Sequence, residues 1–246
     1  MNTPGKRTPA GEREWTFNNN VFSAAIRYLG GYENANVVRL DDPTGNTDVP
    51  LSTRTNKANN ADILVSYHHN ANTGQCGSWT GTDTYHYPGS SSGNALARKI
   101  HPSIVTAMGL RDRGIKSANF HMLRGSRMPA ILIEGDFMDS TIDIDKMRNN
   151  TVMDHTGKAL ADAIASHFGL KKKDSEGSGQ EYVEIVTDFL WKYNTANWND
   201  RAVIINRGEV FTVSRDKFPV GGGHMYQIKS GLYITANSQY VRYYTK

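Results

Sequence analysis

The sequence has little cysteine and no long apolar run. Its single cysteine, Cys76, excludes an internal disulfide framework. Cys76 lies in a Gly-, Ser- and Asn-rich stretch without acidic or basic neighbours, so we do not interpret it as a nucleophile. Mean hydropathy is −0.56, and no run approaches the roughly 20 apolar residues that a membrane span needs. Residues 1–15 are polar and lack the apolar segment of a secretory signal, so we expect no membrane partner.

Excess charge is also small. The chain carries 28 Lys and Arg against 24 Asp and Glu, which gives a net charge of +4 and an isoelectric point near 9.0. This balance fits plain solubility, and it also fits attraction to an acidic polymer such as a cell-wall surface or nucleic acid. The densest basic run, residues 171–173, belongs to a predicted linker, so a nucleic-acid partner is not expected.

Two short apolar runs end in chemically active side chains. Residues 130–133 are apolar, lie between Pro129 and Gly135, and are followed by Glu134. Residues 63–65 lead in the same way to His68. Such runs are typical of buried strands. Ligands bind at the carboxyl ends of strands in open α/β sheets, so the two side chains are predicted to share one site.

The remainder of the first two thirds alternates between strand and helix patterns. Helices are predicted at residues 14–29, at 51–59, from a cap at residues 90–92 to residue 108, and at 151–168. Strands are predicted at residues 36–40, 61–68, 82–87, 120–123 and 130–134. Gly30 and Gly31 should end the first helix, and Pro102 should kink or split the third. Residues 71–81 form a loop suited to lining a cleft, and residues 109–114 form a connector. The pattern predicts an α/β fold with a mostly parallel sheet flanked by helices.

The last third has a different character. Residues 171–181 contain almost no apolar side chains and are predicted to be a linker. Short alternating stretches follow at residues 202–205, 210–215, 225–229, 231–235 and 241–245, separated by turn residues. We therefore predict a catalytic domain over residues 1–170, a linker over 171–181 and a small all-β barrel over 182–246.

Three side chains of the larger domain could form a metal site. His68 and Glu134 end buried strands, and Glu14 begins a helix on its inward face. A histidine and carboxylates around an open position are typical of catalytic zinc, with a further glutamate acting as general base. The spacing alone leaves simpler interpretations open: a packed histidine, a salt-bridged Glu134, and a Glu14 that complements the helix dipole.

Longer motifs resemble one enzyme family. Residues 66–71, Ser-Tyr-His-His-Asn-Ala, resemble the Ser-x-His-x-Asn-Ala motif of the zinc-dependent N-acetylmuramoyl-L-alanine amidases of the amidase-3 family. Residues 128–134 match that family's Pro-Ala-x-Leu-x-Glu strand, and residues 108–116 resemble its connector. Residues 2–9 and 14–18 resemble the segment that carries the family's glutamate ligand. The resemblance covers residues 1 to about 169.

This resemblance implies hydrolysis of the amide between N-acetylmuramic acid and L-alanine in peptidoglycan. It implies that Glu14 and His68 are ligands of Zn²⁺ and that Glu134 is the general base. His69 fills the variable place of the motif and is not expected to be a ligand, whereas Asn70 should orient its neighbours.

The sequence departs from the family pattern at two places. Asp136 adds a second charge close to Glu134. The family's first strand, which ends in Gly-His-Gly and supplies the first zinc ligand, is not found ahead of Met1, and His86 and His121 are the candidates to replace it. An alternative is therefore a wall-binding protein whose amidase domain is inactivated by the loss of that ligand.

The tail resembles the SH3-like wall-binding modules of bacteriophage endolysins from Gram-positive hosts, through residues 231–237 and 240–244. Its tyrosines, with Trp191 and Trp198, either form an aromatic groove for a wall polymer or make up the core of the barrel. The resemblance implies an endolysin that stays in the host cytoplasm until lysis and then acts on the wall, with peptidoglycan and a Gram-positive wall polymer as partners.

Overall fold

A computed structural model describes residues 7–173 and 180–246. Its contacts divide the chain into two compact units, referred to below as the N-terminal unit (residues 7–173) and the C-terminal unit (residues 180–246). The start of the predicted motif at residues 2–9 and most of the predicted linker lie outside the described residues. No helix in the described ranges is both long enough and apolar enough to cross a membrane.

The N-terminal unit is an α/β layer structure, as the sequence predicts. Its elements are α1 Glu14–Leu29, α2 Leu51–Lys57, β1 Leu64–Asn70, β2 Thr82–His86, α3 Ser91–Met108, β3 Asp112–Ser117, α4 His121–Arg124, β4 Ala130–Phe137, α5 Ile144–Arg148 and α6 Asn150–Phe168. The sheet has the order β1-β4-β2-β3. Strands β1 and β4 run parallel, as do β2 and β3, whereas β2 and β4 run antiparallel, so the sheet is mixed.

Helices α1, α3 and α6 share one apolar core with the sheet. Their buried stripes meet strand residues at positions such as Val21, Ile100, Ile131 and Leu160. A Cβ atom at Gly157 would lie 2.4 Å from the Cβ of Ala24, so this glycine allows α6 to pack closely on α1. This packing holds α1 in place relative to the sheet, and with it the first residue of the helix, Glu14.

The ends of the helices agree well with the sequence. Ser90 Oγ accepts a hydrogen bond from the Gly93 amide at the start of α3, and Gly109 ends that helix with a φ of 62°. Gly30 follows α1 as predicted. The expectation that Pro102 splits α3 is wrong, because α3 is one helix over Ser91–Met108 with Pro102 inside it.

Three further local predictions need correction. Residues 36–40 form no strand, and the side chains of Val37 and Val38 are exposed rather than buried in a sheet. Residues 121–124 form the short helix α4 instead of a strand, and the predicted connector leads into β3. Residues 171–173 of the expected linker are held by backbone hydrogen bonds to residues 31–33.

The C-terminal unit is all-β. Its strands are β5 Glu181–Ile185, β6 Phe189–Tyr193, β7 Arg201–Asn206, β8 Val210–Val220, β9 Gly223–Ile228, β10 Tyr233–Thr235 and β11 Val241–Thr245. The five strands predicted for this region are present, and β5 and β6 were not predicted. All pairings are antiparallel, in the order β11-β5-β8-β9-β10-β6-β7.

The expected SH3-like barrel is corrected to an open sheet. Strands β11 and β7 lie at the two ends of the order and do not pair within residues 180–246. Residues 210–212 of β8 pair with β5, whereas residues 213–220 pair with β9 through two register shifts. The sheet therefore turns along β8 and folds over a single core that includes Val183, Val213 and Ile234.

Candidate active site

The three residues expected in a metal site are brought together at one edge of the mixed sheet. His68 in β1 and Glu134 in β4 are partners in the parallel register. Glu14, the first residue of α1, places its Oε1 atom 2.7 Å from His68 Nδ1. The start of a helix and two neighbouring strands thus converge, although the three residues are far apart in the sequence; both strands continue past their site residue, to Asn70 in β1 and Phe137 in β4.

Glu14 is nearly buried, with 9% of its surface exposed. Asn18 Nδ2 donates a hydrogen bond of 3.1 Å to its Oε1 atom, and the backbone amide of His69 donates a longer one of 3.4 Å. Burial opposes ionisation, but the hydrogen bond and the charge of His68 outweigh it and lower the pKa of Glu14. The carboxylate is therefore kept ionised beside an imidazole.

His68 is held through both ring nitrogens. Its Nε2 atom lies 3.1 Å from Ser66 Oγ, and 32% of its side chain is exposed. Burial tends to lower the pKa of His68, and the hydrogen bond and negative charge of Glu14 raise it overall. The ring is thus oriented by the chain and remains accessible from solvent.

Glu134 has a carboxylate oxygen that is left without a hydrogen-bond partner among the described residues. This atom, Oε2, is buried. Burial raises the pKa of Glu134 to about 7, and the negative charges of Glu14 and Asp83 add to this rise against the opposing charges of His68 and His69. A carboxyl group with such a pKa can hold or release a proton near neutral pH, which general acid–base catalysis requires.

A second histidine–carboxylate pair lies behind the site. His69 Nδ1 is 2.6 Å from Asp136 Oδ1, and both side chains are fully buried. Burial opposes protonation of His69, but the charge of Asp136 raises the pKa of His69 overall. Asp136, which we expected to place a second charge near Glu134, is instead engaged by His69, because the β1–β4 register shifts between His68 and Asn70.

The sequence analysis missed Asp83. In β2 this residue is the antiparallel register partner of Glu134, and it is fully buried. Its carboxylate accepts a hydrogen bond of 2.7 Å from Arg113 Nε and forms an ion pair with Lys116 Nζ at 2.5 Å. Both partners lie in β3. The sequence signal was an acidic residue in the middle of an otherwise apolar or neutral strand, Thr-Asp-Thr-Tyr.

Two further missed carboxylates anchor the loop at residues 71–81. Asp139 accepts hydrogen bonds from the backbone amides of residues 72–74 and from Trp79 Nε1. Asp143 accepts bonds from Thr80 Oγ1 and the Gly81 amide. Asn70, expected to orient its neighbours, accepts a bond of 2.8 Å from the Ala71 amide at the start of this loop. The carboxylates of Asp139 and Asp143 therefore hold the loop beside the site in place.

The two histidines considered as replacement ligands do not complete a metal site. His86 is directed to the carbonyl oxygen of Tyr87 at 2.9 Å, and His121 lies on α4. Within residues 7–173 and 180–246, no group of three or more His, Cys, Asp or Glu side chains is placed to hold a metal ion. Glu14 and His68 are suitable zinc donors in type, although their facing atoms are hydrogen-bonded to each other here, and they are two where catalytic zinc takes three protein ligands.

Comparison with known proteins identifies a family for most of the chain. A protein family described as N-acetylmuramoyl-L-alanine amidase matches residues 2–166. This chain belongs to that family. The match spans every residue of the site described above, so the site lies within the amidase domain.

Relatives of this amidase include phage and bacterial proteins. The endolysin of Bacillus phage SPP1 is 35% identical over 212 residues, which cover 78% of this chain and 76% of that protein. The N-acetylmuramoyl-L-alanine amidase CwlM of Bacillus licheniformis is 38% identical over 147 residues, which cover 58% of this chain and 55% of that protein.

Solved structures show the same fold. An N-acetylmuramoyl-L-alanine amidase from Clostridium difficile 630 matches with a TM-score of 0.62 and 30% identity, and the match covers 72% of this chain and 93% of that chain. The catalytic domain of CwlV, an amidase from Paenibacillus polymyxa, matches with a TM-score of 0.62 and 28% identity over 70% of this chain and 94% of that chain. Residues 178–241 match a domain family of unknown function.

Proposed function

We propose that the N-terminal unit hydrolyses the amide between N-acetylmuramic acid and L-alanine of peptidoglycan, with Glu134 as its general base. The observation that supports this role most directly is the buried and unpartnered Oε2 atom of Glu134, next to His68 in the sheet register. Its pKa near 7 suits a group that must accept and then return a proton at neutral pH.

Glu14 and His68 would hold Zn²⁺. Their facing donor atoms, an ionised carboxylate oxygen and an imidazole nitrogen 2.7 Å apart, are of the type that zinc prefers. Bound zinc would supply the Lewis-acid chemistry that acidifies the attacking water. The hydrogen bonds from Asn18 to Glu14 and between His68 and Ser66 would keep both donors oriented.

The proton transfers then fall to Glu134. Its carboxylate takes a proton from water as the water oxygen bonds to the lactyl carbonyl carbon of the substrate. The same carboxyl group returns that proton to the L-alanine nitrogen as the carbon–nitrogen bond breaks. The products are a lactyl carboxylic acid, which then releases its proton to solvent, and a peptide with a new amino terminus, so the hydrolysis is balanced and Glu134 is restored.

Replacement of this one carboxyl group tests the proposal. Glu134→Gln keeps the size of the side chain but cannot accept a proton, and a general base contributes about 10²- to 10⁴-fold to the rate. We therefore expect release of L-alanine amino groups from purified peptidoglycan to fall by about that factor, with zinc content unchanged. Asp62→Asn removes an exposed carboxylate of the same unit and is the matched control. Near-normal turnover of Glu134→Gln would reject the role of Glu134.

A second candidate function is a wall-binding protein with an inactive amidase domain. It is favoured by the finding that the described residues offer two zinc donors and no third. Metal analysis of the dialysed protein, together with the same amino-group assay, separates the two functions. One zinc per chain with hydrolysis supports the amidase, whereas wall binding without zinc and without hydrolysis supports the alternative.

The C-terminal unit would hold the enzyme on the wall of a Gram-positive cell, with residues 174–179 joining the two units. Similarity to a phage endolysin over 78% of the chain supports this arrangement. Under this proposal the protein is made in the host cytoplasm and acts on peptidoglycan after lysis.

A further inference from the structure

The C-terminal unit contains a cavity of about 450 Å³. It lies between the turn that joins β8 to β9 and the segment that follows β10. Trp198, the glycine turn at residues 221–223, His224, Thr235 and Asn237 line it. Its volume is within the range of small-molecule sites, and its lining combines one large aromatic ring with a few polar groups, as such sites usually do.

Trp198 is fixed in position within the protein. Its Nε1 atom donates a hydrogen bond of 2.9 Å to the carbonyl oxygen of Val220, and its ring meets Tyr193 edge to face at 5.5 Å. A Cβ atom at Gly223 would lie 3.0 Å from the Trp198 ring, so glycine there gives the ring its space. Since the only polar atom of Trp198 is already bonded, its ring contributes an apolar wall that is ordered before a ligand arrives.

Two polar side chains of the cavity, His224 and Asn237, have groups available to a ligand. The backbone oxygen of His224 accepts a bond from the Ala236 amide, while the exposed imidazole of His224 has no partner within residues 180–246. Asn237 uses its Oδ1 atom to accept the Gln239 amide, which leaves its Nδ2 donor without a partner in the same described range. The lining contains no Asp, Glu, Lys or Arg side chain.

We propose that this cavity binds one sugar ring of an uncharged glycan. A pyranose has an apolar C–H face and a rim of hydroxyl or acetamido groups, which complement the Trp198 ring and the side chains of His224 and Asn237. A phosphate-rich polymer is disfavoured, because no Lys or Arg side chain lines the cavity. The proposal rests on the wall-directed function of the whole protein and assigns the place and the ligand class within the C-terminal unit.

The test uses the full 246-residue chain. Titration calorimetry with an N-acetylglucosamine oligosaccharide, a purified neutral wall polysaccharide and a teichoic acid distinguishes the two neutral sources from a charged polymer. His224→Ala changes an exposed side chain, so folding should be unaffected, and Asn237→Ala removes the free donor. Each substitution removes a protein group that would hydrogen-bond to the sugar and leaves the sugar's polar group without a partner. Such a loss weakens binding by about tenfold, so each variant should bind the neutral glycan about tenfold more weakly.

Phe189→Ala is the matched control, because Phe189 is 62% exposed in the same unit and does not line the cavity. Its affinity should stay within about twofold of the unchanged protein, since exposed substitutions away from a site have small effects. In parallel, NMR signals of the amides at residues 221–223 should shift on adding the oligosaccharide. Binding that is strongest for teichoic acid, or that is insensitive to His224→Ala and Asn237→Ala, would overturn the proposal.

Amide hydrolysis of a soluble muramyl peptide is measured for the same variants. It should be unchanged in all of them, because the substitutions lie outside the amidase domain. Loss of glycan binding with hydrolysis intact is the expected result. Intact hydrolysis and wall binding with no effect of the cavity variants would reject this site alone. No hydrolysis by any protein would reject the proposed enzymatic function without affecting the result at the cavity.

Discussion

His68 and His69 are adjacent in β1, yet their surroundings differ completely. His68 is 32% exposed and contacts Glu14, whereas the His69 side chain has no exposed surface and contacts Asp136. Successive side chains of a strand point to opposite faces, so one histidine faces the open edge and the other faces the core beneath α1. Edge-to-face contacts of His69 with Tyr67 and Phe17 complete its burial.

The contrast shows that the distance within a histidine–carboxylate pair does not determine the role of the pair. Both pairs have short distances, 2.7 Å for His68 with Glu14 and 2.6 Å for His69 with Asp136. Access separates them: a ligand or substrate can reach His68, and nothing can reach His69 without opening the core. We infer that the first pair serves chemistry and the second connects β1 to β4 from behind.

The largest expected effect is a difference in unfolding free energy between the alanine variants of the two histidines. His69→Ala leaves the Asp136 carboxylate buried without its partner, which costs about 3–5 kcal/mol of unfolding free energy. In His68→Ala, Glu14 keeps its hydrogen bonds from Asn18 and from the His69 amide, so this variant should lose only about 1 kcal/mol of unfolding free energy. Urea unfolding followed by circular dichroism measures both values.

Activity should show the reverse order. His68→Ala removes a proposed zinc donor, and because loss of a residue that merely supports a ligand costs about 10- to 100-fold, its hydrolysis rate should fall by more than about 100-fold. His69→Ala, assayed well below its own unfolding midpoint, should lose less. Equal urea midpoints for the two variants, or a larger activity loss in His69→Ala, would contradict the assignment of roles.

The sequence was sufficient to predict much of this arrangement. The apolar periodicity of α1, α3 and α6, the two buried strands and the convergence of Glu14, His68 and Glu134 all followed from residue patterns and motif resemblance. These features depend on local periodicity and on the rule that strand ends share an edge, which a single sequence reveals.

The remainder depends on pairing between distant segments. Period-2 alternation puts residues 134 and 136 on one face, and only the register shift between β1 and β4 brings Asp136 to His69. The antiparallel position of β2, which places Asp83 beside Glu134, is likewise a matter of topology. The open order of the C-terminal sheet depends on where β8 changes partners, and its residues carry no clear signal for that change.

The two carboxyl groups of β4, Glu134 and Asp136, extend the comparison and give a further prediction. Burial raises the pKa of Glu134 from 4.5 to about 7, so the ionised form is disfavoured in the folded protein. Below about pH 4.5 both the folded and the unfolded states hold this proton and there is no penalty. Between about pH 4.5 and 7 the unfolded state releases its proton first, so folding stability falls, and above about pH 7 the penalty is constant.

Glu134→Gln removes this titration. Relative to the unchanged protein, the variant should therefore gain stability between pH 5 and pH 8, by at most about 3 kcal/mol, since one pKa unit corresponds to about 1.4 kcal/mol. Urea unfolding at both pH values, with a chelator present so that bound metal does not contribute, measures the gain. Asp136→Asn is the comparison on the core side and should lose stability at both pH values, because it disrupts the ion pair with His69. A gain of Glu134→Gln that is the same at pH 5 and pH 8 would contradict the pKa argument.

The smallest expected effect concerns the second ring nitrogen of His68. Ser66 Oγ lies 3.1 Å from His68 Nε2, whereas the corresponding Nε2 atom of His69 is buried with no partner among the described residues. Ser66→Ala removes one hydrogen bond of about 0.5–1.5 kcal/mol, so kcat/KM should fall by about 2- to 10-fold while the urea midpoint changes little. Ser66→Thr keeps a hydroxyl at this position and should retain most of the activity. Since Ser66 orients a proposed ligand and is not expected to contact substrate, the loss should appear in kcat with KM nearly unchanged. A loss confined to KM, or no rescue by Ser66→Thr, would mean that Ser66 acts on the substrate or on packing instead of on His68.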